Sequence, residues 1–276
     1  MQLRPALELA EAEREFQGKY LSSADYDTVV DCDTMGTLPS GQPAFVLLRS
    51  VFNDGEALQT TYRSLYGLPF GRVENSLRHT ALQGSQGWEL HLGWLDDSRT
   101  GPRPAARTWT HPTFYSFTLV PLLAQLGALM RQYLPACWKR QATAARRNGE
   151  RLVGAELQTL VAAKGVRAVQ ADGTGRPIAG RDIPQPVFST VTVNRNAIFR
   201  SHTDAKNESG YSCLTTFGAF TGGHLCFPRL RVAFALEPGD VLIAPANTEQ
   251  HGNIAPLAGT RISVVAYLRS MAQGMS

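Results

Sequence analysis

Beyond Pro184 the chain consists almost entirely of short apolar or β-branched runs separated by glycine and proline turns. VFSTVTVN alternates, YSCLTTFGAF is apolar and β-branched, and TGG makes a turn. HLCFP and RVAFAL are short strands, EPGD is a second turn, and VLIAP and RISVVAYLR complete the series. No helical stretch interrupts them. Short strands punctuated in this way predict a double-sheet jelly roll or a barrel.

The chain upstream reads differently. Residues 1–20 predict a short amphipathic helix. Between Asp27 and Phe52 the alternation predicts a hairpin: one strand up to about Met35, a turn in GTLPSGQP, and an apolar strand Ala44–Val51. Residues 53–110 scatter Tyr62, Tyr66, Phe70, Trp88, Trp94 and Trp109 among glycine-rich turns, with a loop expected at DDSRTGPRPAAR. From His111 the period changes. Leu119, Leu122, Leu123, Leu126, Leu129, Met130 and Tyr133 recur at helical spacing and predict a helix from about Thr113 to Tyr133. Pro135 breaks that helix or starts another. The polar segment after it carries Lys139, Arg140, Arg146, Arg147 and Arg151, which suit a phosphate-contacting face or, more commonly, a solvated helix face. Residues 165–183 read as a loop or irregular hairpin.

Composition excludes several classes. Of 276 residues, 43% are hydrophobic and 18% charged, too apolar for a disordered chain. No apolar run reaches the ~18 residues of a membrane span. The nearest, Leu119 to Met130, is interrupted by Pro121, Gln125 and Gly127. Glu8, Glu11, Glu13 and Glu15 stand where a signal peptide would be basic and then apolar. The expectation is a soluble, intracellular protein with no membrane partner, cytoplasmic in a phage or bacterium and nuclear in a eukaryote. The 27 basic residues comprise 23 Arg and 4 Lys. Such an excess suits bidentate recognition of phosphate or carboxylate, and a GC-rich genome would give the same bias. A net charge of +4 permits a nucleic-acid partner without demanding one. Cys32, Cys137, Cys213 and Cys226 form no C-x-x-C pair and read as free thiols in a reducing compartment.

The sharpest chemistry lies in the strand-rich region. In His202-Thr203-Asp204 an imidazole and a carboxylate stand two residues apart, and in an extended segment both point the same way. His251 follows 47 residues after Asp204, in EQHGN. Two His and one Asp make a facial triad with open positions, suited to non-haem Fe(II) and oxygen chemistry. Zinc fits the same ligands, so the triad alone does not name the metal. Arg261, ten residues after His251, stands in Gly259-Thr260-Arg261-Ile262-Ser263, which opens the last apolar strand. Arg261 and Ser263 share a face by the strand period and offer a guanidinium and a hydroxyl to the far carboxylate of 2-oxoglutarate. An Arg in mid-strand is costly unless paired, which an anion would provide. Asn194 and Asn196 are expected to share a face and hydrogen-bond the same co-substrate.

The stretch from Val187 to Met271 resembles the TET and J-binding-protein family of Fe(II)/2-oxoglutarate dioxygenases, which oxidise pyrimidine methyl groups in DNA. The resemblance rests on FSTVTVNRN, HTDAKNESGY, FTGGHLCFPRLRVAFALEPGDVLIA, QHGN and RISVVAYLR. It covers about a third of the chain strongly and, through DYDTVVDCD and the helix before LPACWKRQ, more loosely further upstream. The cysteine-rich zinc region of vertebrate members has no counterpart, and the chain is closer to compact phage, protist and fungal members. The resemblance implies that His202, Asp204 and His251 bind Fe(II), that Arg261 binds 2-oxoglutarate with support from Ser263, Asn194 and Asn196, and that O2 is consumed. It also implies that Asn207 and Arg269 contact the target base.

The fold class expected is therefore α+β, with a double-stranded β-helix (jelly-roll) core, N-terminal helices and auxiliary strands. A single domain is expected over 1–276: 1–183 is the helical and auxiliary region and 184–271 the catalytic core. The expected activity is oxidation of 5-methylcytosine in DNA to 5-hydroxymethylcytosine and beyond, with base flipping, by a monomer. The alternatives are the same chemistry on thymine, another modified base or a prolyl side chain, and a DNA-binding relative without catalysis. Tyr211 and Phe199 are stacking candidates, though core packing is the commoner role. Arg195 and Arg200 flank the metal motif and suit phosphates or the co-substrate. His224 reads as structural or surface, and no role is assigned to His79, His91 or His111.

Overall fold

The computed structural model describes residues 1–68, 71–72, 88–97, 101–104, 118–153, 187–255 and 257–270. Two sheets dominate it. The larger contains β2 (Thr34–Thr37), β3 (Pro43–Leu48), β11 (Val241–Ala244), β8 (Ser212–Gly222), β13 (Leu257–Tyr267), β7 (Thr190–Arg195), β5 (Trp88–Asp97) and β4 (Gly71–Arg72) in that order, with β6 (Gly101–Pro104) on β5. The smaller has the order β1 (Thr28–Val30), β10 (Val232–Phe234), β9 (Leu225–Phe227) and β12 (Gly252–Asn253). This is the double-stranded β-helix expected.

The two-residue strand period divides the large sheet's faces. Val191 and Val193 of β7 and Ile262, Val264 and Ala266 of β13 point to one face and pack with the helices. Helix α3 (Val120–Tyr133) covers that face with Leu122, Leu123, Leu126 and Met130, all buried at the spacing read from the sequence. Its start lies later than the expected Thr113, and residues 105–117 fall outside the description. Leu126 is 0% exposed, so truncation to Ala would cost about 2–5 kcal/mol. After Leu134, Pro135 begins α4 (Pro135–Val153). Gln141 ties α4 to the core: its Nε2 donates to Val187 O and Tyr211 O, and its Oε1 accepts from Tyr211 N. Lys139, Arg140, Arg146 and Arg147 lie on the exposed side.

Four further expectations change. The N-terminal helix is shorter, α1 (Leu9–Phe16). The first arm of the hairpin is two strands. β2 pairs antiparallel with β3 as expected, but β1 pairs parallel with β10 of the other sheet. The segment between them crosses from sheet to sheet, which local alternation could not reveal. The region after Asn53 begins with a helix, α2 (Gly55–Tyr66). Asp54 caps it, its Oδ1 accepting from Glu56 N and Ala57 N, and Leu58, Tyr62 and Leu65 face the core. Part of the expected loop at DDSRTGPRPAAR is the hairpin of β5 and β6. Residues 165–183 lie outside the description. Of the strands before residue 183, β1 belongs to the smaller sheet and β2 to β6 belong to the larger. No helix among the described residues is long and apolar enough to cross a membrane.

Candidate metal centre and active-site cavity

The other face of the large sheet looks toward the small sheet, and part of the space between them is a cavity of about 160 Å³. Strand register explains its lining. Glu89, Asn194, Ser263 and Thr216 are successive cross-strand partners over β5, β7, β13 and β8, and so form one polar row. His91, Thr192, Val265, Leu214 and Leu242 form the next. All nine line the cavity.

His202, Asp204 and His251 converge on the same cavity. Each offers a ligand atom, and these atoms lie within 4.8 Å of one another. The His rings are 4.5 Å apart between centroids, and His202 Nε2 is 3.7 Å from Asp204 Oδ1. Both imidazoles are held in the same way. Nδ1 of His202 lies 2.7 Å from Arg200 O, and Nδ1 of His251 lies 2.9 Å from Glu249 O. A carbonyl only accepts, so each Nδ1 carries the proton and each Nε2 presents its lone pair. Phe227 stacks on the His251 ring at 5.6 Å. Two imidazoles and a carboxylate, already oriented by outer hydrogen bonds, fit a divalent transition metal.

Arg261 brings a buried guanidinium to the same cavity. It is 5% exposed, its Nη1 and Nη2 donate to Gly223 O and Ala197 O, and no described acidic side chain pairs with it. Burial lowers its pKa to about 10. A buried guanidinium satisfied only by carbonyls fits a carboxylate ligand. Ser263, one strand period away, is buried on the same face, and Asn194 Oδ1 is buried without a hydrogen-bond partner.

Asn196 departs from expectation. It adopts φ +51°, which breaks the alternation with Asn194. Its Oδ1 accepts from Arg261 N at 2.7 Å and its Nδ2 donates to Gly259 O at 3.2 Å. It therefore braces the backbone that carries Arg261 and does not line the cavity. Asn207 and Arg269 are brought together as an antiparallel bridge, and both line the cavity. Asn207 Nδ2 is buried with no partner.

Tyr211 belongs to the core, its hydroxyl donating to Pro43 O at 2.6 Å. Phe199, half-buried, lines the cavity beside His202. Arg195 and Arg200 lie over the rings of Tyr66 and Tyr20 and are not cavity residues. His224 is half-buried and outside the cavity, and its pKa is lowered by burial and by the charge of Arg261. His79 and His111 lie outside the description. Sequence reasoning missed Glu89, and it gave His91 no role. Their signal was the alternation of Trp88-Glu89-Leu90-His91-Leu92, a short run flanked by Gly87 and Gly93.

A jelly roll that encloses a His-Asp-His cluster and a buried, carboxylate-free Arg defines the class of Fe(II)/2-oxoglutarate-dependent oxygenases. Residues 108–270 match the Tet_JBP family, described as the oxygenase domain of the 2OGFeDO superfamily. The match spans more than half of the chain, and the chain belongs to this family, whose chemistry uses Fe(II), 2-oxoglutarate and O2. "Bifunctional helicase and thymine dioxygenase JBP2" of Leishmania infantum is 46% identical over 90 residues, 30% of this chain and 8% of that protein. Its counterpart in Trypanosoma cruzi (strain CL Brener) is 44% identical over 90 residues, with the same coverage. The alignment thus spans a small part of these relatives. Among solved structures, NgTET1 in complex with 5mC DNA matches with a TM-score of 0.54 and 14% identity, over 95% of this chain and 88% of that one. That likeness shows the fold.

Proposed function

We propose that the chain is a DNA dioxygenase that oxidises the methyl group of 5-methylcytosine, giving 5-hydroxymethylcytosine first. The observation that carries this reading is one cavity lined by both the His202-Asp204-His251 cluster and the Asn207–Arg269 bridge. In it His202, Asp204 and His251 hold Fe(II), and Arg261 pairs with the far carboxylate of 2-oxoglutarate, assisted by Ser263 and Asn194. When bound, these groups supply the O2 activation that hydroxylates a methyl group, with succinate and CO2 as co-products.

The chain's own residues do the rest. The Nδ1 contacts keep both imidazoles in the ligating tautomer while substrate exchanges. Asn196 fixes the strand that carries Arg261. A methyl group inside a duplex cannot reach a buried metal, so the base is flipped out at a cost of a few kcal/mol. Stacking on Phe199 offsets part of that cost, at about 1–3 kcal/mol per base, and Asn207 and Arg269 hydrogen-bond the base. The apolar lining beside the cluster, Leu214, Leu225 and Leu242, keeps water from the reacting methyl.

A second reading, oxidation of thymine, is favoured by one observation. The relatives at 46% and 44% identity are named as thymine dioxygenases. Nucleoside mass spectrometry after incubation with Fe(II), 2-oxoglutarate and DNA carrying 5-methylcytosine, cytosine, thymine or N6-methyladenine separates the readings. 5-Hydroxymethylcytosine is expected. Oxidised thymine alone would establish the second reading, and succinate formed only with peptide substrates would overturn both.

A further inference from the structure

His91 links two sides of the cavity. Its Nδ1 lies 3.1 Å from Thr192 Oγ1, and its Nε2 lies 3.0 Å from Glu89 Oε1. Thr192 Oγ1 is in turn 3.2 Å from the hydroxyl of Tyr267. With His91 neutral, the donor inventory sets the direction of this chain. The Glu89 carboxylate only accepts, so His91 Nε2 carries the proton. A neutral ring then accepts at Nδ1 from the Thr192 hydroxyl, and Thr192 accepts from Tyr267 O–H. Every donor runs toward Glu89, and bonds aligned in this way strengthen one another. Glu89 is thus an oriented acceptor, 17% exposed, at the cavity.

Its neighbours carry the complementary chemistry. Arg269 is a donor, and Asn207 has an unsatisfied buried N–H group. Arg269, Asp204 and Glu89 all line the cavity together with Tyr267. An edge that meets a carboxylate on one side and N–H donors on the other must present a donor followed by acceptors. Cytosine offers that pattern with its N4 amine, N3 and O2, whereas thymine places an acceptor, O4, where cytosine has its amine. Carboxylates pair with the cytosine N4 amine for this reason.

Resting on the reading of this site as a pyrimidine dioxygenase, we infer that Glu89, held by His91, is the specificity-determining acceptor for the exocyclic amine of the flipped cytosine. It acts on the choice of base and leaves the metal cluster unchanged. Glu89→Gln replaces an acceptor-only group with one that also donates, and so tolerates O4.

The test is internal competition. Full-length protein receives an equimolar mixture of two duplexes, one carrying 5-methylcytosine and the other thymine at a single mismatched site, and both oxidised products are quantified. The product ratio does not depend on the fraction of protein that is folded or metal-loaded. Glu89→Gln should lower the preference for 5-methylcytosine by about 10-fold or more, and Glu89→Asp should restore part of it. His91→Ala should lower it less. The ratio of Kd values for the two duplexes, measured by fluorescence anisotropy without iron, should move in the same direction. A Glu89→Gln ratio within about twofold of wild type, or a selective loss of thymine oxidation, would overturn the inference while leaving the dioxygenase reading intact. If wild type oxidises neither base, both fail.

Discussion

His202 and His251 exchange both backbone hydrogen bonds, His202 N donating to His251 O at 3.0 Å and His251 N donating to His202 O at 2.9 Å. Two segments far apart in the chain are thereby locked in antiparallel register at the very residues whose imidazoles converge. Ser201 and Gln250 reinforce this lock, Ser201 Oγ donating to Gln250 Oε1 at 2.9 Å. The spacing of the metal-binding atoms is therefore set by backbone pairing before any ion binds.

Replacing His202 or His251 by Ala should abolish the weak visible charge-transfer band of the anaerobic Fe(II)/2-oxoglutarate complex. Activity should fall by about 100-fold or more. Absorbance titration and succinate release measure the two effects. A band of wild-type intensity in His202→Ala would remove this residue from the cluster.

Arg261→Lys should raise KM for 2-oxoglutarate, because an ammonium keeps the charge but loses the fork that also bonds Gly223 O and Ala197 O. The expected loss is about 2 kcal/mol or more of co-substrate binding. KM for DNA should stay within about twofold. Steady-state kinetics with each substrate varied in turn decides this.

Gly223 lies at φ +67°, and a Cβ there would come within 2.5 Å of Arg261 Nη1. Gly223→Ala should therefore displace the guanidinium and raise KM for 2-oxoglutarate more than it lowers kcat. An unchanged KM would show that the loop absorbs the methyl group.

Arg229 and Glu249 form a buried bidentate ion pair, 6% and 4% exposed, and Glu249 O is the carbonyl that holds His251 Nδ1. Arg229→Leu strands a carboxylate and should cost about 3–5 kcal/mol, whereas Arg229→Leu with Glu249→Leu should cost less. Urea denaturation gives the stabilities. In Arg229→Leu, metal affinity should also fall about 10-fold.

His224 titrates below its usual 6.5, first from burial and then from the charge of Arg261. Below pH 6.5 the unfolded chain binds more protons than the folded one, so stability falls with acid until the folded imidazole also protonates. His224→Gln should reduce the stability difference between pH 7.5 and pH 5.0, as measured by chemical denaturation. An equal difference in both proteins would assign the acid sensitivity to other groups.

Much of the site is local enough to read from sequence. The H-x-D spacing, the isolated His251 and the Arg261–Ser263 face follow from the strand period, and α3 follows from the recurrence of leucines. Asn196 shows the limit of that reasoning. One residue at positive φ ends the alternation of β7 and turns an expected cavity residue into a brace for Arg261. Helix α2 was obscured because its cap, Asp54, sits in a segment that reads as turns.

The sequence by itself determined the chemical types present, because strand punctuation, helical period and ligand spacing act over a few residues. Only the tertiary structure decided which distant residues share a cavity. β5 lies beside β7 through cross-strand pairing that leaves no mark in either segment alone, and this pairing brings Glu89 and His91 to Thr192 and Asn194. The crossing of β1 and β2 between sheets was likewise hidden. Register between distant strands is fixed by the packing of two faces at once, and no local window of sequence contains that information.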